Sequence, residues 1–265
     1  MSEAVREESP TATPGGSTLA KQLESWISED VGPLKDRPLS WLSSQHFFRD
    51  PVRPSYSSAD HFFAPADGVV LYQEEVGPSD SIVDIKGKPY SLREALRDPS
   101  YDKPSLVIGI FMTFFDVHIN RVPYSGRLSY RQLEPIDTLN HPMLEVESGI
   151  LEDLRVAPSR AEYLRHNQRM VNRIETTAFA DPYYVLQIAD YDVDSITPFE
   201  LKQNQPCFQG QRFSQIRYGS QVDLIIPLSE RCELVPTQTV HSHVEAGVDT
   251  LVAIRERKPT AETAD

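Results

Sequence analysis

The stretch 216-IRYGSQVDLIIP-227 decides how the chain is read. Ile216, Tyr218, Val222, Leu224, Ile225 and Ile226 are β-branched, aromatic or aliphatic residues that fit a pleated, buried surface. They predict a strand with a Gly-Ser pair, Gly219 and Ser220, set into it. Glycine weakens a strand and marks a bulge or a close backbone approach. The pair alone is not informative, because Gly16-Ser17 repeats it in a polar tail.

Outward from this stretch, most apolar runs are short and bounded by turn residues, which predicts strands. They are 68-GVVLYQEE-75, 81-SIVDI-85, 106-LVIGIFM-112, 126-GRLSYRQL-133, 183-YYVLQIA-189, 221-QVDLIIP-227 and 249-DTLVAI-254. The end, 240-VHSHVEAGVDTLVAI-254, reads as strand, glycine turn, strand. Leu19, Leu23, Trp26 and Ile27 share one helical face, with Ser17 or Thr18 as cap. Nearby Glu24, Glu29 and Asp30 favour packing of that helix on the core over a membrane surface. Capping boxes at Ser91–Glu94 and Ser159–Glu162 predict two short helices. The segment 48-FRDPVRPSYSSAD-60 reads as an extended connection. The expected architecture is α+β: a β-rich single domain with peripheral helices over 18–257, and flexible tails at 1–17 and 258–265.

The chain has 265 residues and a net charge of -13. That charge argues against nucleic acid, whose phosphates need Lys and Arg, and against tight docking on an anionic membrane. The N-terminus lacks the basic and apolar regions of a signal peptide. The run 106-LVIGIFMTFF-115 is too short to span a bilayer. A cytoplasmic protein with at most peripheral membrane contact is expected. Cys207 and Cys232 lack metal-type spacing and read as buried thiols. His241 and His243 would share one face of a strand. With no third ligand evident, a solvated face is the plainer reading and no metal is assigned.

Serine is a nucleophile only when activated. Glycine before it leaves the carbonyl open and tolerates a strained backbone. Attack by Ser220 on the Gly219 carbonyl turns the peptide into an ester. Elimination then leaves dehydroalanine, and hydrolysis leaves a pyruvoyl group at the new N-terminus. Acid–base partners are at hand in 64-APADG-68 and 116-DVHINRVPYSG-126, namely Asp67 and His118. Read singly, Asp67 is a turn residue and His118 a structural histidine.

The ordered set APADG, DVHINRVPYSG, RYGSQVDLIIP resembles the phosphatidylserine decarboxylases. Further likeness lies in 47-FFRDPVRP-54, 85-IKGKPYSL-92 and 186-LQIA-189. The resemblance runs from about Phe47 to Ile254. It implies a proenzyme that cuts itself between Gly219 and Ser220, giving a large chain 1–219 and a small chain 220–265 that stay associated. Ser220 would become the pyruvoyl group, whose Schiff base with a substrate amine is an electron sink as CO2 leaves. Asp67 matches the aspartate of the processing triad, and His118 would protonate the carbanion.

Two departures bear on function. Long members carry H-x-x-H in the histidine motif, and the second histidine has the triad role. Here that position is Arg121, as in shorter bacterial members. Arg121 cannot act as a base but can orient a carboxylate or phosphate. After QIA, relatives continue with glycine and a basic pair, whereas this chain reads 187-QIADYDVDSITPF-199, with Asp190, Asp192 and Asp194. If that segment faces substrate, a phosphate is poorly served. The reading is therefore a decarboxylase of phosphatidylserine. Its rivals are the same chemistry on a soluble amino acid, and a non-catalytic binding relative. A homodimer is compatible with each. Met112, Phe114 and Phe115 read as core or pocket wall, although an exposed Phe114–Phe115 pair would suit a lipid chain.

Overall fold

The computed structural model describes residues 20–257, apart from 138, 156, 191–195 and 218. The calls on the tails, on Ser17, Thr18 and Leu19 and on Asp192 and Asp194 lie outside the described residues.

A nine-stranded antiparallel sheet forms the centre. Its middle strands are Gly68–Val76, Ser105–Met112, Ser220–Pro227, Tyr183–Ala189, Arg169–Glu175 and Gly126–Leu133, paired in that order. All eight residues of Ser105–Met112 are buried. Because side chains alternate across a strand, such a run feeds both faces. Leu106, Ile108, Ile110 and Met112 join one apolar cluster, and Val107 and Phe111 join the other. The first face is covered by two small sheets, the second by short helices and the two-stranded sheet Val83–Ile85 with Lys88–Tyr90. One small sheet holds Ile119–Arg121, Arg212–Ile216 and Ile196–Pro198. The other holds His61–Phe63, Thr250–Glu256 and Cys232–Pro236. The β-rich α+β reading is borne out.

Local expectations fare unevenly. Ser91 caps Leu92–Leu96 in a full capping box with Glu94. Ser159–Glu162 is not one: Ser159 lies in a tight turn, Pro158–Arg160, and Glu162 precedes Tyr163–His166 without a side-chain cap. The helix Leu23–Trp26, with a wider turn Ile27–Val31, buries Leu23 and Trp26 in the core. Cys207 and Cys232 are buried and unbridged. His241 and His243 do not share a face. His241 is exposed, with φ 73°, outside the strand Ser242–Val244, while His243 is buried. No helix among the described residues is long and apolar enough to cross a membrane.

The opening stretch is two strands rather than one. Arg212–Ile216 belongs to a small sheet and Ser220–Pro227 to the large one. Gly219 therefore sits where the chain crosses between sheets.

Candidate active site

Three crossings run side by side. Residues 113–118 leave the large sheet after Met112 and enter the small one at Ile119. The chain returns to the large sheet between Ile216 and Ser220: Ser220 stands opposite Met112, and Ile216 N–H donates to the His118 carbonyl at 3.0 Å. The turn holding Asp67 lies along 113–118, since Arg121 N–H donates to the Pro65 carbonyl at 2.9 Å and Val69 pairs with Phe111. Gly68 makes this approach possible, because a Cβ there would stand 2.1 Å from the Phe111 carbonyl oxygen. The sheet order thus gathers the three sequence motifs.

Ser220 is fully buried, and its hydroxyl donates to Met112 Sδ at 3.2 Å. Met112 is core, as its sequence suggests. Glycine at 219 answers a need for space: a Cβ would lie 2.9 Å from Asp190 Oδ2 and 3.8 Å from Glu147 Oε2.

His118 is fully buried under Phe47, with ring centroids 3.9 Å apart. Its Nδ1 is 3.0 Å from the Asp116 carbonyl oxygen, which only accepts, so Nδ1 carries the proton. Nε2 is then a lone-pair acceptor, buried with no hydrogen-bond partner among the described residues. Burial pushes the imidazole down to about 4, which keeps it neutral near pH 7.

Asp67 is clamped by Arg53, at 2.6 Å to Oδ1 and 2.5 Å to Oδ2, and by the Ala246 N–H at 2.8 Å. Among the described residues, no hydrogen bond joins it to His118 or Ser220. It lines a cavity of about 540 Å³ with Arg49, Arg53, Asp116, His243 and Glu245. Arg121 lies outside that lining. Its guanidinium donates to the Gly210 carbonyl at 3.0 Å and sits 3.7 Å from Asp50. Arg49 instead faces the cavity, held by the carbonyls of His46, Phe115 and Asp116. Phe114 and Phe115 are half-buried and pack edge-on against each other.

Three groups take places that the sequence reading did not give them: it read His243 as part of a solvated face and Asp190 as part of an acidic segment, and it passed over Glu147. His243 bonds Asp116 at 2.6 Å, and the pair is buried. Asp116 draws the imidazole above its ordinary value and is itself held below the usual carboxylate range, despite burial opposing both charges. The second and third are Glu147, on the helix Leu144–Asp153, and Asp190, just past Tyr183–Ala189. Asp190 accepts from Met143 N–H at 2.9 Å, and Glu147 from Phe114 N–H at 2.7 Å. Burial, then the Asp190 charge, pushes Glu147 up to about 7. A histidine read as part of a solvated strand face and a glutamate among the four acidic residues of its ten-residue helix carry no sequence signal for this role.

A serine buried at a sheet-to-sheet crossing, with carboxyl groups against the residue before it and an imidazole on the adjoining crossing, makes a site around the chain's own backbone. The family described as phosphatidylserine decarboxylase matches residues 44–250. The phosphatidylserine decarboxylase proenzyme of Ralstonia pickettii (strain 12J) is 29% identical over 208 residues, covering 78% of this chain and 77% of that one. The proenzyme of Erythrobacter litoralis (strain HTCC2594) is 31% identical over 195 residues, covering 73% and 68%. That of Paraburkholderia phymatum (strain DSM 17167 / CIP 108236 / LMG 21445 / STM815) is 31% identical over 185 residues, covering 70% and 69%. The chain belongs to the phosphatidylserine decarboxylase family, a family of carboxy-lyases.

Proposed function

We propose that this chain is a proenzyme that cuts itself between Gly219 and Ser220, turns Ser220 into a pyruvoyl group, and decarboxylates phosphatidylserine to phosphatidylethanolamine. The observation that carries this reading is Ser220 itself: a buried hydroxyl at the first position of a core strand, preceded by a glycine with no room for a side chain. Its Oγ attacks the Gly219 carbonyl carbon, and the C–N bond breaks as the C–O bond forms. Loss of the Ser220 Cα proton then expels the Gly219 carboxylate. The resulting dehydroalanine takes up water and releases ammonia, leaving the pyruvoyl group.

That group supplies an electron sink for an amine-bearing carboxylate. The neutral His118, with its lone pair on Nε2, takes up the proton that the substrate ammonium must lose and returns it to the substrate carbon once CO2 has left. Asp67, fixed by Arg53, shapes the cavity wall. Arg49, on the cavity wall, takes the substrate's anionic groups, a role the sequence gives to Arg121, while Arg53 stays committed to Asp67. Arg121 instead braces Asp50 and the Gly210 carbonyl. Residues 1–219 and 220–265 stay associated, because Ser220–Pro227 lies between two strands of the larger piece. The working location is the cytoplasm, with peripheral access to lipid.

The test is an intact mass of purified protein, followed by CO2 release. A fragment starting at position 220 and lighter by one ammonia than plain hydrolysis gives is expected. Release from phosphatidylserine vesicles rather than free amino acids is expected next. Activity on free amino acids alone would transfer the chemistry to a soluble substrate. The acidic segment supports that rival less than its sequence promises, because Asp190 is turned to Gly219. An uncut, folded chain would favour the non-catalytic relative.

A further inference from the structure

We propose that Glu147 and Asp190 form the acid–base pair of chain cleavage, in the role that the missing second histidine leaves open. This rests on the self-processing reading above.

The geometry is specific. The two carboxyls come from elements far apart in sequence, a helix and a strand end, and meet at Gly219. A Cβ on that residue would be 2.9 Å from Asp190 Oδ2 and 3.8 Å from Glu147 Oε2. Each is fixed by a backbone N–H through its other oxygen, Met143 for Asp190 and Phe114 for Glu147. Phe114 lies on the crossing that carries His118, so the pair joins both crossings.

The imidazoles are less suited to this work. His243 has its Nε2 committed to Asp116 at 2.6 Å, away from Gly219, and that carboxylate raises the imidazole above its ordinary value. His118 is a weak base once buried. Two carboxyls in one low-dielectric site favour sharing a single proton. Glu147, raised to about 7, holds that proton at neutral pH, facing Asp190 and, farther off, Asp116.

The step balances. Asp190 carboxylate takes the Ser220 hydroxyl proton as Oγ bonds to the Gly219 carbonyl carbon. Glu147 gives its proton to the departing Ser220 nitrogen as the C–N bond breaks. The pair begins and ends with one proton, moved from one partner to the other.

The experiment follows cleavage of the freshly translated full-length chain over time by gel and mass. Wild type, Glu147→Gln, Glu147→Asp and Asp190→Asn are compared, each checked for cooperative thermal unfolding. Glu147→Gln and Asp190→Asn are expected to slow cleavage by about 100-fold or more. Glu147→Asp should recover part of the rate, and the wild-type pH profile should lose its inflection near 7 in Glu147→Gln. Wild-type rates in folded Glu147→Gln and Asp190→Asn overturn the pair. Should the Gln variant not fold, an Asp variant that cleaves at the wild-type rate overturns it too. A wild-type chain that never cleaves removes the self-processing reading first, and the pair with it.

Discussion

His243 Nε2 stands 2.6 Å from Asp116 Oδ1, and the imidazole lies flat on Trp26 with ring centroids 4.4 Å apart. The other Asp116 oxygen accepts from Thr113 N at 2.7 Å and Oγ1 at 2.8 Å. One carboxylate thereby fixes the start of the crossing that carries His118 to the strand Ser242–Val244.

Replacing His243 by Ala leaves Asp116 buried and short of a charge partner. A loss of about 3–5 kcal/mol is expected, read from denaturant midpoints. The pH dependence has a sign. The His243 value is raised on folding, so its stabilisation is complete below about 6.5 and is lost as pH rises through the folded value. Wild type should therefore approach His243→Ala in stability on the alkaline side, and a constant gap would break the ion-pair account.

Ser220→Ala removes the attacking hydroxyl and should remain full-length and inactive. Gly219→Ala should fold but process slowly, since its methyl must displace Asp190, an overpacking of about 1–3 kcal/mol. Mass spectrometry of both variants decides this. Ser220→Ala cut at the same bond would end the proposed chemistry.

His118→Ala should lose decarboxylation even in chains that have been cut. In the wild type, rate on the acid side should fall as pH drops through about 4, where the imidazole becomes charged, and not through 6.5. A pH–rate profile of processed enzyme measures this. Retained activity in cut His118→Ala would remove the residue from the site.

Glu147→Gln should also shift stability with pH. Its folded value is raised from 4.5 to about 7, so the folded state binds more protons between these values. Wild type then loses stability relative to the Gln variant as pH rises across that window, by on the order of 3 kcal/mol. Melting curves across pH 4 to 8 test the sign, and a gap that closes instead of opening would contradict burial of the carboxyl.

Much of the fold was legible in the sequence. Short β-branched runs announced the strands from Gly68–Val76 to Thr250–Glu256 because strand burial leaves a local pattern. The motif order announced Asp67, His118, Gly219 and Ser220. Strands with weaker patterns, such as Arg169–Glu175 with its Arg and Asn, were not announced. The reason glycine precedes Ser220 was not local either. It is the proximity of Asp190, set by pairing of Tyr183–Ala189 with Ser220–Pro227. Asp116 with His243, Arg53 with Asp67, and Glu147 with Asp190 likewise join positions far apart in the chain. Periodicity assigns a residue to a face, but only sheet order and the crossings between sheets decide what stands opposite it. The sequence alone determined most of the long strands and singled out Gly219–Ser220, and the tertiary structure decided which acids and bases stand around that pair.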